Sequence, residues 1–311
     1  MHLLVAHAAS LSPGMLDAVG AASLPNLQRL LDILTAGEAD HGDEMTLSPP
    51  HERSLARLWQ WPLDDGLLPF AAHAASLDGI APALHGAAGW GLLSPTYWHL
   101  GTERVALTDP LDLQLSEADS RRLFDAVTAL FGDDGWQLHW GAATRWYAVH
   151  ESLLTLPTAS LDRVVGRNVD LWLGGHPVAR PVRRLQAEMQ MLLHRHPVNE
   201  ARTATGLAPV NSVWLSGTGP FCNAADVPEL QVDDSLRSAA LAGDAGRWTA
   251  AWQRLDAGPL QALSAQAEGG VDVRLTLCGE CRAQTWSTPL RGRLSRWVGK
   301  RASVLATLET L

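Results

Sequence analysis

The sequence predicts an α/β protein, because short apolar strand patterns alternate with amphipathic helical patterns along the chain. The chain has 311 residues, of which 46% are hydrophobic and 18% charged, so a well-buried core is expected and bulk disorder is not. This length suits one large α/β domain, or a domain that carries a substantial insertion. Two strands frame the prediction: His2–Ala6 reads as a buried first strand, and a second runs from Val210 to Leu215.

The helical segments have recognisable beginnings and ends. Ser23-Leu24-Pro25 precedes the amphipathic run "NLQRLLDIL", and the Pro pair of "PPHERSLARLWQWP" opens a second short helix. Ser116 followed by Asp119 forms a capping pattern. The remaining helices are predicted at Glu117–Phe131, Arg180–His196, near Asp233–Leu241, at Gly246–Leu255 and in a basic segment that carries Arg291, Arg293, Arg296, Lys300 and Arg301.

The other predicted strands are short. "RVALTDP" reads as a strand, and "WQLHW" and "RWYAVHESLL" read as two strands of a hairpin separated by Gly141. "VDVRLTLCGEC" reads as a late strand that ends at a Cys-x-x-Cys pair.

Charge and composition exclude several classes of function. The net charge of −9 argues against general binding to nucleic acid or to anionic membranes. No apolar run approaches the length of about 18 residues that a membrane-spanning helix needs, and the N-terminal residues lack a secretory pattern. Three cysteines do not make a disulfide framework, so we expect a cytoplasmic protein.

The Gly217-Thr218-Gly219 segment is predicted to be a turn after the Val210–Leu215 strand. Gly-rich turns after strands often hold phosphates in α/β proteins. However, Pro220 removes one amide donor from such a site. The segment alone therefore favours a connection over a phosphate site, and both interpretations stay open.

Cysteine and histidine pairs favour ordinary structural roles. Cys278-x-x-Cys281 is typical of a redox pair or half a zinc site, but no helix follows it and no second such pair exists. Two reduced thiols are therefore expected. His194 and His196 lie two residues apart at a helix end, where side chains diverge, so a shared metal ion is not expected.

Thirteen tryptophans are unusual for this length. Five of them lie close together in sequence: Trp59, Trp61, Trp136, Trp140 and Trp146. Core packing is the favoured interpretation, and a stacking platform for a ring-bearing ligand is the alternative. No nucleophile elbow, Walker A loop, dinucleotide fingerprint or metalloprotease motif is present.

The segment "HPVNEARTATGLAPVNSVWLSGTG" resembles one in the archaeal-type cofactor-independent phosphoglycerate mutases. The matching positions are Asn199, Arg202, Asn211, Trp214, Gly217 and Gly219. "LDRVVGRNVDLWL" and "SLPNLQRLL" are similar to further segments of that family. The resemblance implies an alkaline-phosphatase-like fold, with a mainly parallel sheet flanked by helices and an inserted subdomain. We expect residues 1–94 and 206–311 to form the α/β core and 95–205 the insertion.

The chain length and the phrases "RRLQAEMQMLLHRHPVNEAR" and "VNSVWLSGTG" also resemble the RpfE-type proteobacterial family. That family is named for regulators of pathogenicity factors.

The catalytic positions of the mutases are not matched. That family holds two metals with Asp and His ligands and uses a Ser nucleophile. Here Ala6-His7 follows the first strand, His51-Glu52-Arg53 opens the second helix and Gly279-Glu280 follows the late strand. The resemblance with these departures predicts a non-catalytic binding or regulatory protein without metal or cofactor. A working mutase, or a related phosphoryl-transfer enzyme, is the alternative.

Polar residues at the matched strand ends and loops are the candidate ligand-binding groups. Arginine side chains grip phosphate or carboxylate groups, so a small anion is the expected ligand, and a protein partner is possible. The alternative is that Arg163 and Arg167 form structural salt bridges with Asp162 and Asp170. The candidates are His7, His51, Glu52, Arg53, Asp162, Arg163, Arg167 and Asn211.

Overall fold

The computed structural model describes residues 1–81, 86, 88–101, 105–131, 135–173, 179–289 and 303–311. Within them the strands are β1 (His2–Val5), β2 (Thr35–His41), β3 (Gly89–Thr96), β4 (Trp98–Leu100), β5 (Val105–Leu107), β6 (Gln137–Ala142), β7 (Arg145–His150), β8 (Ser212–Pro220), β9 (Leu230–Asp233), β10 (Arg274–Cys278) and β11 (Arg282–Ser287).

The α-helices of the same residues are α1 (Met15–Gly20), α2 (Pro25–Ile33), α3 (Pro50–Leu58), α4 (Phe70–Leu77), α5 (Glu117–Thr128), α6 (Leu161–Val164), α7 (Ala179–His194), α8 (Pro197–Ala204), α9 (Arg237–Leu241), α10 (Ala245–Leu255), α11 (Gln261–Glu268) and α12 (Val304–Leu308). A π-helical turn, Asp256–Leu260, joins α10 to α11.

The chain forms two compact units. Unit 1 comprises Met1–Leu58 together with Asp226–Leu311, and unit 2 comprises Trp59–Ala225. These limits differ from the predicted insertion at 95–205, and the existence of an inserted subdomain stays a prediction.

Unit 1 is built on a mixed sheet with the strand order β2-β11-β10-β1-β9. Strand β1 is parallel to β9 and to β10, whereas β10–β11 and β11–β2 are antiparallel. The predicted mainly parallel sheet is therefore a mixed one. The physical reason is local: only a tight turn separates β10 from β11, and a tight turn can join antiparallel strands but not parallel ones.

The two faces of the unit 1 sheet have different characters. Leu3, Val5, Leu275 and Leu277 point to one face and pack with Trp248 into the main core of the unit. By the two-residue strand alternation, the opposite face is partly polar; it includes His2, Thr276 and Asp40 among others and meets α3. Helices therefore flank both faces.

Unit 2 contains an antiparallel sheet with the order β6-β7-β3-β8. The predicted hairpin of "WQLHW" and "RWYAVHESLL" is confirmed as β6 and β7. The strand predicted at Val210–Leu215 begins instead at Ser212, and its place in a parallel sheet is wrong. Among the strands that the structure describes, it pairs with β3 and antiparallel to it, and such nonlocal pairing leaves no mark in the strand's own residue pattern.

Several helices confirm their sequence signals. Ser116 accepts a hydrogen bond from the Asp119 amide at the start of α5, as the capping pattern predicts. Pro197 ends α7 but also begins α8, whose N-cap is His196. The predicted basic helix at 291–301 lies outside the described residues. None of the helices in the described part of the chain has the length and apolar character needed to cross a membrane.

Candidate functional site

Three parallel strands of unit 1 end at one edge of its sheet. Strand β1 lies between β9 and β10, and the chain that leaves β1 stays attached to both neighbours. The Ala6 amide donates to the Asp233 carbonyl at 2.9 Å, and the Ala8 amide donates to the Cys278 carbonyl at 2.7 Å. The carboxyl ends of parallel strands are the usual ligand-binding edge in open α/β sheets, so this edge is the candidate site.

His7 lies at the centre of this edge, between those two attachments. Its φ angle is +56°, in the left-handed region that residues other than glycine enter rarely. Its carbonyl accepts a hydrogen bond from the Trp248 indole at 3.2 Å. Sparsely populated backbone conformations occur often at functional sites. Here such a conformation holds a buried imidazole just after the end of β1.

His51 meets His7 within unit 1. It occupies the first turn of α3, and the centroids of the two rings lie 4.9 Å apart at an interplanar angle of 43°. Their ligand nitrogens lie within 4.8 Å of each other. The fold thus brings together His7 and His51, two predicted site residues that lie 44 positions apart in the sequence.

Arg53 is buried and cross-links the structure around the pair. Its Nη2 lies 2.5 Å from Asp40 and also donates to the Cys281 carbonyl at 3.1 Å. Its Nη1 donates to the Ser48 carbonyl at 2.5 Å. The guanidinium therefore ties α3 to β2 and to the β10–β11 turn. Glu52, the adjacent candidate, is half-buried.

Glu280 follows β10 at the same edge. Its Oε1 accepts hydrogen bonds from the Ser10 hydroxyl at 3.0 Å and from the Leu11 amide at 2.8 Å. This carboxylate fastens the segment that follows β1. Neither Ser10 nor Trp248 was among the candidates, and no local pattern could have found them because their partners are more than 200 residues away.

The remaining candidates belong to unit 2. Asp162 and Arg163 lie on α6, where the Ser160 hydroxyl accepts a hydrogen bond from the Asp162 amide at 3.4 Å. Arg163 is 2% exposed, and Arg167 is half-buried beyond the helix end. The predicted pairing of these arginines with Asp162 and Asp170, and their contact with an anion, stay predictions.

Asn211 has a visible structural role in unit 2. Its Oδ1 accepts from the Trp98 amide, and its Nδ2 donates to the Trp98 carbonyl, both at 2.8 Å. The amide thus pairs with the backbone of β4 as a strand residue would. A ligand could use this side chain only by breaking that pair.

The other polar residues of the mutase-like segment also bind backbone. Asn199 donates to the carbonyls of Leu193 and Val210 and accepts from the Val210 amide, at 2.7–2.8 Å. Arg202 donates to the carbonyls of Ala208 and Leu113. The Trp214 indole donates to the Ala159 carbonyl at 2.9 Å. The most specific part of the resemblance is therefore explained by contacts that hold unit 2 together.

The Gly217-Thr218-Gly219 segment is not a turn. It lies within β8, at a bulge opposite Trp90 and Leu92, and a Cβ atom on Gly217 would lie only 2.9 Å from the Ala71 amide. Thr218 is fully buried, and its hydroxyl meets the carbonyls of Gly66 and Leu156 at 3.1 and 2.6 Å. Gly217 and Gly219 permit close packing of β8 against its neighbours. The interpretation of this segment as a phosphate loop is not supported.

The cysteines are free thiols in the structure: Cys222, Cys278 and Cys281. Cys278 is buried at the end of β10, with its Sγ 3.8 Å from the Ser54 hydroxyl. Burial raises the pKa of this thiol to about 12, so it stays protonated at neutral pH. The Cys-x-x-Cys pair occupies a strand turn, where no helix dipole lowers a thiol pKa.

The five tryptophans that lie close together in sequence pack in a core or against other aromatic rings. Trp146 is buried and donates to the Ser120 hydroxyl at 2.9 Å. Trp59 and Trp61 lie 4.7 Å apart and both contact His73. Trp136 stacks on His150 at 4.2 Å. These contacts agree with core packing, the favoured interpretation.

A second polar region of unit 1 is a cavity of about 90 Å³ between the sheet and α3. Its lining includes His2, whose Nε2 lies 2.9 Å from the Thr276 hydroxyl. Burial, followed by the charges of Arg274 and the N-terminal ammonium, lowers the pKa of His2 to about 4. The imidazole is therefore neutral at physiological pH and is held as a hydrogen-bonding group of the sheet face.

Comparison with known proteins finds no matching family model and no matching curated protein. Among solved structures, the PH0037 protein from Pyrococcus horikoshii is 13% identical, with a TM-score of 0.47 over 96% of this chain and 91% of that one. The cofactor-independent phosphoglycerate mutase from Thermoplasma acidophilum is 15% identical, with a TM-score of 0.37 over 100% and 99% of the two chains. The mixed α/β structure of the chain is seen in its own strands and helices.

Proposed function

We propose that this protein is a phosphoglycerate mutase-like protein with a binding or regulatory role and without phosphoryl-transfer activity. One observation carries the proposal: two charged side chains near the candidate edge of unit 1, Arg53 and Glu280, are engaged in bonds within the fold. Arg53 bonds to Asp40 and to carbonyls, and Glu280 bonds to Ser10 and Leu11. These bonds stabilise the fold, which supports a structural role for both groups.

The two-metal centre of the mutases does not fit the residues at this edge. Such a centre clamps the attacking and leaving oxygens between two ions, and hard ions are held there by carboxylates. Two carboxylates near this edge are already engaged: Asp40 with Arg53 and Arg57, and Glu280 with Ser10 and Leu11. Because phosphate-monoester cleavage needs acceleration of up to about 10²¹-fold, we expect no phosphoryl transfer from an edge that lacks the two metals and the nucleophile.

The expected ligand is a small anion, bound without turnover. Imidazoles can act as hydrogen-bond donors to an anion, and His7 and His51 meet at a strand end that commonly binds ligands. Breaking the buried Arg53–Asp40 pair to release the guanidinium would cost several kcal/mol. The imidazole pair is therefore the part of the edge that supports binding best.

The test is a coupled mutase assay on the purified full-length chain, starting from 3-phosphoglycerate with manganese, zinc or magnesium added. We expect no turnover above a mock purification. Turnover of about 1 per second or more, within the usual enzyme range, would establish the mutase alternative if it disappears in the His7→Asn, His51→Gln double variant. Activity no greater than that of the mock purification identifies a contaminating mutase.

Ligand binding has a separate measurement. Calorimetric titration with 3-phosphoglycerate and with inorganic phosphate should give saturable heat, and the double variant should lose it. Absence of heat and of any thermal shift at millimolar concentration would contradict binding of a small phosphate-bearing anion.

A further inference from the structure

The paired imidazoles of unit 1 present a nitrogen ligand set. His7 lies in the turn after β1 and His51 in the first turn of α3, and their ligand nitrogens lie within 4.8 Å of each other. Imidazole nitrogen is a preferred ligand for zinc, copper and nickel ions, whereas magnesium and calcium prefer oxygen. We infer that His7 and His51 together bind one divalent transition-metal ion, of which zinc is the probe of choice.

The distance between the rings is compatible with one shared ion. Two imidazoles on a tetrahedral zinc, each with a Zn–N bond of about 2.0–2.1 Å, hold their nitrogens about 3.4 Å apart. From a separation within 4.8 Å, the nitrogens must approach by no more than about 1.4 Å, which side-chain rotation can supply. Water or a small anion would complete the coordination.

Both histidines are held by rigid elements. The backbone on either side of His7 bonds to β9 and β10, and the His7 carbonyl bonds to Trp248. His51 lies on α3, which the bonds of Arg53 fasten to β2 and to the β10–β11 turn. His7 lies in the turn after β1, but these bonds restrain its backbone, and helices hold ligands more accurately than loops, so little ordering remains to be done when an ion binds.

The two imidazole nitrogens favour a transition-metal ion over a hard ion. Asp40 and Glu280, two carboxylates of unit 1, already bond to Arg53 and Ser10, respectively, and an ion such as magnesium would depend on oxygen ligands. The inference therefore differs from the two-metal centre rejected above, and it goes beyond the proposed function. A single ion on two imidazoles restores neither the second metal nor the nucleophile.

The experiment uses the tag-free, full-length chain after removal of metals with a chelator. Calorimetric titration with zinc should show one saturable site, and cobalt should give a visible absorption band whose position reports its nitrogen ligands. His7→Asn and His51→Gln should each weaken zinc binding by at least about tenfold, the smallest change seen when even an indirect support of a metal site is lost. Asparagine is chosen because it tolerates a positive φ better than alanine.

The control is His41→Ala, because His41 is an exposed histidine of the same unit, and its zinc affinity should equal that of the unmodified chain. Thermal unfolding of each variant without metal checks that the fold is retained. Zinc binding weaker than about millimolar, equal affinity in all variants, or displacement of zinc by equimolar magnesium would overturn the inference. The mutase assay is independent, because it tests turnover under several metals and not the affinity of this pair.

Discussion

The polar residues of the two units serve different ends. In unit 2, the segment that resembles the mutases most closely uses Asn199, Arg202 and Asn211 to bond backbone groups. In unit 1, where the sequence departs from the mutases, two imidazoles meet at the end of the parallel strands. A recognisable motif can therefore record how a chain folds, while the capacity for chemistry depends on which groups meet at the strand ends.

Among the substitutions considered, we expect replacement of Arg53 in unit 1 to lower the free energy of unfolding most. Replacing it in Arg53→Leu leaves the Asp40 carboxylate, only 10% exposed, without its main buried partner, and such losses cost about 3–5 kcal/mol. Urea unfolding measures the free energy of unfolding. The control Arg57→Ala removes a more exposed partner of Asp40 and should cost about 1 kcal/mol or less; equal effects would contradict the structural role of Arg53.

Asn199→Ala tests the corresponding anchor of unit 2. It leaves the Val210 amide and the carbonyls of Leu193 and Val210 without this partner, and a single unsatisfied buried group costs about 1–3 kcal/mol. We expect the free energy of unfolding to fall by about 3 kcal/mol. The control Glu200→Ala changes an exposed position of the same helix and should alter the free energy of unfolding by less than about 0.5 kcal/mol. A similar loss in this control would show that disturbance of α8, and not the hydrogen bonds of Asn199, causes the effect.

Gly217→Ala sharpens the interpretation of the glycines in β8 as packing residues. The added Cβ atom would lie 2.9 Å from the Ala71 amide, and the φ of this position is +64°. Backbone strain and overpacking should therefore lower the free energy of unfolding by about 1–3 kcal/mol. Gly206→Ala has a similar φ of +79° but open space around the added atom. The difference between the two variants in thermal unfolding isolates the steric part, and no difference would argue against close packing at Gly217.

Of these substitutions, His2→Gln should change the free energy of unfolding least at neutral pH, and its effect should be larger in acid. The pKa of His2 is about 4 in the folded chain, below the ordinary value of 6.5, so the unfolded chain binds the proton more readily. Its contribution to stability is therefore fully present above pH 6.5 and is lost as the pH falls from 6.5 to 4. Unfolding of His2→Gln across this range should show a flatter pH dependence than the unmodified chain or His41→Ala; parallel curves would contradict the prediction.

Local signals predicted the elements but not their partners. Ser116 and Asp119 specified the start of α5, and Pro25 lies in the first turn of α2, because caps and proline act within one turn. The partner of β8 could not be predicted, since it pairs with a strand more than 100 residues away. The same holds for the candidate site, where the sequence proposed His7 and His51 separately and only the fold showed that they meet.

The sequence by itself determined several helices, among them α2, α5 and α7, the β6–β7 hairpin and which mutase positions have changed, because capping, periodicity and residue identity are local properties. The tertiary structure alone decided the rest. It placed Gly217-Thr218-Gly219 inside a strand, made the unit 1 sheet a mixed one and brought two imidazoles to 4.9 Å. Strand pairing and the burial of charges depend on interactions between groups far apart in the chain, so the pattern within a single segment does not predict them.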